Sequence, residues 1–377
     1  MTRVMLGTVR LLEFLEGGGH LWVYMQYVDA LRRLGCEVYL LDSFTWSSDT
    51  PSPARIRDFR DRLARYGVAD AVIVGAEGEE GAERHFGIPE SEAWELLESV
   101  DLLLNFNYHL SPELVSAPRS SALVDIDPGL LQFWMSRGFI QPASHSLYFT
   151  TGETVGAPDS PIPDCGLRWH HIRPPVSLQL WPEVLDGPGD AFTTVSSWWG
   201  ERDYVGEPGN YYDNTKRTAF LDFLDLPRHT DQQLEVSLFL AESDALDRRR
   251  LENHGWRVRH STETAGSPDA YQAYVQASRG EFGWAKASCM RFQNAWVSDR
   301  TVCYLASGRP AVVQHTGPSS YLPDAEGIFR FRTLEDAARS LDAVNADYKA
   351  QSHLARRLAE EYFDAQKIVG GMLEVAL

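Results

Sequence analysis

Residues 291–317, RFQNAWVSDRTVCYLASGRPAVVQHTG, join a polar helix start, an amphipathic helix, a small-residue turn and a buried strand. That order builds an anion site. Ser298 and Asp299 can cap the helix, Arg300 and Thr301 fall in its first turn, and the free N–H groups there suit a phosphate or diphosphate at the positive end of the helix dipole. Gly308 ends the helix before Pro310. The run Ala311–Gln314 then reads as a buried strand, with His315, Thr316 and Gly317 at the end where open α/β sheets bind ligands. Lys286, in GEFGWAKAS, offers a point charge beside the bidentate fork of Arg300; it fits a solvated turn nearly as well.

A second constellation lies far upstream, where Gly17, Gly18 and Gly19 run into His20. Glycine permits close backbone approach, so this loop can lie against a ligand, with His20 at the mouth of the crevice. Imidazole accepts protons near neutral pH, so His20 can be a base for an alcohol; as a motif alone it serves equally well as a helix-start packing residue. Asp125 and Asp127 have the spacing of a metal-binding pair but stand before Pro128-Gly129, so they read as a turn or acceptor-side element, with Asp127 the alternative base. The pair Trp198-Trp199 could stack on a sugar or aromatic ring, though core packing is the commoner use. Asn105, Asn107 and His109 follow a buried strand and suit either a ligand or loop capping.

The chain that must position these groups has 377 residues, long for one core, and 44% of them are hydrophobic. Two domains follow, 1–184 and 185–354, with a last helix at 355–377 packing back on the first. A net charge of -18 repels a polyanionic backbone and argues against nucleic acid as a partner. Four cysteines without Cys-x-x-Cys spacing read as reduced thiols of a cytoplasmic protein. The N-terminus lacks the clean apolar core of a signal peptide, and no stretch reaches the roughly 18 apolar residues of a membrane span.

Strands are expected at 4–8, 37–42, 71–74, 101–105, 122–125 and 146–150, with a helix from His20 to Leu34 and an extended run around 168–181. A Pro/Gly-rich linker at 183–190 leads to strands at 192–198, 235–240, 257–260, 311–314 and 328–331. Helices are expected at 269–278, 334–345 and 347–375. This rhythm is that of parallel sheets covered on both faces.

The helix-start anion site and the twin α/β layout resemble GT-B glycosyltransferases. The phrases LVDIDPGLLQFW, LYFTTGETVG, IRPPVSLQLW and HTGPSSYLP resemble a narrower bacterial group of that fold, members of which decorate secondary metabolites or surface glycans. The resemblance implies two doubly wound Rossmann-like domains facing across a cleft. It also implies transfer of a hexosyl or deoxysugar group from a nucleotide-diphosphate sugar, a co-substrate rather than a tightly bound cofactor, to a small-molecule or glycan hydroxyl. His20 would be the base, and Gly18, Gly19, Lys286, Ser298, Arg300, Thr301, His315, Thr316 and Gly317 would hold the donor. Cys303 stands where retaining members carry a glutamate, so the resemblance implies inversion, with protein cations in place of a metal. A nucleotide-sugar 2-epimerase or a catalytically silent binding protein of the same fold are the alternatives.

Overall fold

A computed structural model of the chain describes residues 1–44, 51–68, 71–75, 85–86, 88–185, 187–200, 204–207 and 210–377. Asp186, within the expected linker, lies outside the described residues. Two sheets carry the fold. The first orders its strands β4-β3-β2-β1-β5-β6-β7-β8, where β1 is Arg3–Val9, β2 Glu37–Phe44, β3 Ala71–Gly75, β4 His85–Phe86, β5 Leu102–Asn105, β6 Ser121–Asp125, β7 Leu147–Thr150 and β8 Trp169–His171. All its pairings are parallel except that of the edge strand β4. After a two-stranded hairpin, β10 (Tyr204–Glu207) and β11 (Asn210–Asp213), the remaining strands form an all-parallel sheet of order β13-β12-β9-β14-β15-β16. Its members are β9 (Ala191–Ser196), β12 (Gln233–Leu238), β13 (Arg257–His260), β14 (Gly280–Gly283), β15 (Ala311–Gln314) and β16 (Ile328–Phe331). Each sheet reverses its order once, at β1/β5 and at β9/β14, and such reversals open the crevices where α/β folds bind ligands. The chain is thus two Rossmann-like domains.

Periodicity located most strands to within two residues, and three departures have physical causes. The segment Gly280–Gly283, not among the expected strands, is the central strand β14, fully buried; a Cβ on Gly280 would crowd the Phe192 ring and the Pro310 carbonyl. The expected helix at 347–375 divides into Tyr348–Tyr362 and Ala365–Ala376. Between them Val176 N–H donates to the Phe363 carbonyl at 2.8 Å and Ala365 N–H to the Val176 carbonyl at 3.0 Å, which draws the chain out of the helix, and Asp364 caps the next one. Of the extended run at 168–181, only Trp169–His171 pairs as a strand.

The two domains share a core beneath the cleft. The Trp22 indole stands 4.9 Å from that of Trp181, which lies 6.1 Å from the Tyr271 ring. Trp22 Nε1 also donates to the Pro268 carbonyl at 2.9 Å. The last helix, Ala365–Ala376, packs on the first, Gly18–Arg33, burying Val369 and Met372 in the same core.

Candidate active site

A cavity of about 770 Å³ opens between the domains at both sheet reversals. The loop after β1 brings Phe14 and Gly17 to His20, the turn after β6 brings Ile126 and Asp127, the segment after β9 brings Ser197 to Trp199, and the turn after β14 brings Lys286. Ser298, Asp299 and Arg300 at the start of the helix Asp299–Ala306 also line the cavity. Residues nearly 280 apart in sequence therefore face one space.

His20 sits in the first turn of the helix Gly18–Arg33. Its Nε2 lies 2.6 Å from the Val9 carbonyl oxygen, which can only accept, so Nε2 carries the proton and Nδ1 is left as the acceptor. Phe14 and Tyr24 flank the ring edge-on at 6.0 and 5.6 Å, and the Tyr24 hydroxyl accepts from Val9 N–H at 3.1 Å. Both polar groups of Val9 thus fix the imidazole.

The glycines before it line the cleft, but their close approach is to protein. A Cβ on Gly18 would overlap the Ser267 carbonyl oxygen, and one on Gly19 would stand 2.9 Å from the Tyr271 ring. Their smallness also seats the first helix against the second domain. Gly18→Ala should therefore cost about 1–3 kcal/mol of stability through overpacking. Chemical denaturation measures this, and an unchanged midpoint would mean that the contact is slack.

Three cations meet in the second domain's half. Arg300, 8% exposed, donates from Nε to Glu281 Oε1 at 2.7 Å and from a terminal nitrogen to the Val195 carbonyl at 2.9 Å. The Lys286 ammonium pairs with Asp127 Oδ2 at 3.3 Å, across the cleft. Lys216, at the start of the helix Lys216–Phe220, also lines the cavity, 5.6 Å from the Trp296 ring centroid. Burial, then repulsion by Arg300 and Lys286, lowers its ammonium to about 7. Sequence reasoning missed Lys216. Nothing around it marks a site, because its place follows from the strand order that sets β9 beside β14.

Other expectations need correction. His315, Thr316 and Gly317 do not open on the cleft: His315 Nδ1 accepts from Gly317 N–H at 3.2 Å, Thr316 Oγ1 donates to the Trp296 carbonyl at 2.8 Å, and a Cβ on Gly317 would overlap the Gln293 carbonyl. They brace the turn that carries Trp296. Thr301, 2% exposed, lines with Thr316 a void of about 20 Å³ behind the helix. Ser298 caps that helix by accepting from Arg300 N–H at 3.2 Å, which uses one of the donors expected for phosphate. Asp125 is committed to Gln132 and Thr150, both at 2.7 Å, so only Asp127 of the pair faces the cleft. Trp198 is buried, with Nε1 donating to Asp247 at 2.8 Å, whereas Trp199 is half exposed on the cavity wall. Asn105 and Asn107 cap their own loop. Cys303 faces Gln26 at the domain junction rather than the cleft.

No protein-family model matches the sequence, and no curated protein is detectably similar to it. Solved structures do resemble it along nearly its whole length. An alpha-glucosyltransferase, solved with UDP and a 13-mer DNA containing an HMU base, superposes with a TM-score of 0.63 at 10% identity over 99% of this chain and 98% of that one. The pneumococcal O-GlcNAc transferase, solved with UDP and GlcNAc, gives 0.58 at 8% identity over 99% and 98%. A glycosyltransferase of avilamycin A biosynthesis gives 0.56 at 14% identity over 100% and 97%. The chain has the fold of the GT-B glycosyltransferases.

Proposed function

We propose that this protein transfers a sugar from a nucleotide-diphosphate donor to an alcohol. The observation that supports this most is the placing of Lys216, Lys286 and Arg300 at the β9/β14 reversal, facing His20 across one cleft. Arg300 and Lys286 already hold Glu281 and Asp127, so Lys216 is the cation an incoming anion would join, and two solved neighbours contain UDP. In this reading residues 1–184 present the acceptor and 185–354 the donor, while 355–377 tie the halves together.

The reaction is a single displacement. His20 Nδ1 takes the acceptor's proton as its oxygen attacks the anomeric carbon, and the bond to the diphosphate breaks on the opposite face, inverting the configuration. Lys216 and Lys286 meet the charge that grows on the leaving diphosphate, with Arg300 holding β9 to β14 behind them. Protein cations supply this compensation, so transfer proceeds in EDTA. The test is calorimetric titration with UDP, dTDP and GDP, with and without EDTA. One of them should bind with an affinity that EDTA leaves unchanged. Failure of all three to bind would remove the donor site, and a loss of binding in EDTA would assign the charge compensation to a metal ion.

A further inference from the structure

Large apolar side chains exposed singly on a protein surface are ordinary, but a cluster of them at a cavity marks a ligand surface. Phe14 (50% exposed), Ile126 (37%), Trp199 (50%) and Phe239 (60%) are exposed large apolar residues, and all four line the same cleft. They divide by domain. Trp199 and Phe239 stand on the half that carries the cations, whereas Phe14 and Ile126 stand on the half that carries His20.

Resting on the sugar-transfer reading, we infer that the acceptor is an uncharged, apolar hydroxyl compound, an aryl or polycyclic alcohol, seated on Phe14 and Ile126 with its hydroxyl at His20. The Phe14 and His20 rings lie 6.0 Å apart, so whatever presents oxygen to the imidazole lays its carbon frame against Phe14. Arg10, its guanidinium 5.3 Å from the ring centroid, holds Phe14 in place. A saccharide acceptor would need free polar groups beside the aromatic ring to take up its many hydroxyls. The two carboxylates on this side are already committed: Glu16 pairs with Arg55 at 3.0 Å, and Asp127 pairs with Lys286 at 3.3 Å. The bond from Arg55 also holds Glu16 below its ordinary carboxyl range, so it stays charged. The chain's net charge of -18 also disfavours a phosphodiester backbone as the acceptor.

The test uses the full chain, a donor found to bind by calorimetry, and three acceptor panels: a hydroxycoumarin and a steroid alcohol, a set of neutral oligosaccharides, and a DNA oligomer with a hydroxymethylated base. Products are read by mass. The apolar alcohols should be glycosylated and the other two panels refused. Phe14→Ser should raise the acceptor KM about ten- to a hundredfold, the worth of burying a phenyl ring, with kcat at saturating acceptor little changed, and Phe14→Tyr should restore it. Glycosylation of oligosaccharide or DNA in preference to the alcohols would overturn the inference and leave sugar transfer standing. So would a Phe14→Ser effect confined to kcat, since Phe14 would then act through His20. If no panel is glycosylated and the donor is not consumed, sugar transfer itself fails. Calorimetric binding of the hydroxycoumarin to wild type and Phe14→Ser then still decides the apolar site, equal affinities or no binding overturning it.

Discussion

If His20 is the base, His20→Ala should lower kcat by about 10²- to 10⁴-fold, the usual contribution of a general base, while nucleoside diphosphate affinity should stay that of wild type. Among the described residues the imidazole bonds none of the three cations, and its polar tie is to Val9, in the first domain. His20→Gln separates position from chemistry, because an amide can keep the bond to the Val9 carbonyl yet cannot take a proton, so it should be as slow as alanine. Transfer by one displacement also fixes the stereochemistry. Proton NMR of the product should show the anomeric configuration opposite to the donor's. Near wild-type turnover in His20→Ala would make the histidine structural and move the base to Asp127, which faces the same space once its pair with Lys286 parts.

The fold was legible because apolar runs report their own burial. Segments such as Val4 to Leu6 and Leu102 to Leu104 are buried outright, and their even spacing between helices forces parallel pairing. Gly280–Gly283 escaped because two of its four residues have no side chain to show a pattern, and what makes it a strand is the closeness of Phe192 and Pro310. The helix break at Phe363 escaped for a similar reason: its cause is Val176, almost 190 residues upstream. Parts of the site that depend on local chain order were readable, such as the cap at Ser298 and the histidine at a helix start. Parts that depend on strand order were not. Lys216 reaches the cleft because β9 is central, and His315 to Gly317 are diverted from it because the turn carrying Trp296 folds over them. Arg300 shows the limit of reasoning from residue type. It stands where expected, but buried against Glu281, so Arg300→Ala would strand a carboxylate that is fully shielded from water. Breaking such a pair costs about 3–5 kcal/mol of stability, which would obscure any change in ligand affinity.

Lys216 is therefore the better probe of the proposed donor site, and it should make binding depend on pH in a defined direction. With the cleft free of ligand its ammonium is lowered to about 7, first by burial and then by Arg300 and Lys286. A bound diphosphate places two negative charges beside it and raises that value again. Below pH 7 the lysine is charged in both states and contributes no pH dependence. Above pH 7 the free protein has lost the proton and must regain it on binding, so affinity falls with rising pH, by up to about tenfold per unit until the raised value is passed. Calorimetry with an intact nucleotide sugar tests this cleanly, because its diphosphate has no terminal phosphate to titrate in the same range. Lys216→Arg, always charged, should flatten the profile. Lys216→Met should weaken binding about 10- to 100-fold at pH 6.5, the worth of a charge-assisted hydrogen bond, and flatten it as well. A wild-type affinity constant from pH 6 to 9 would mean that the diphosphate does not lie against Lys216, and the donor would then have to be placed along the cleft wall nearer Lys286.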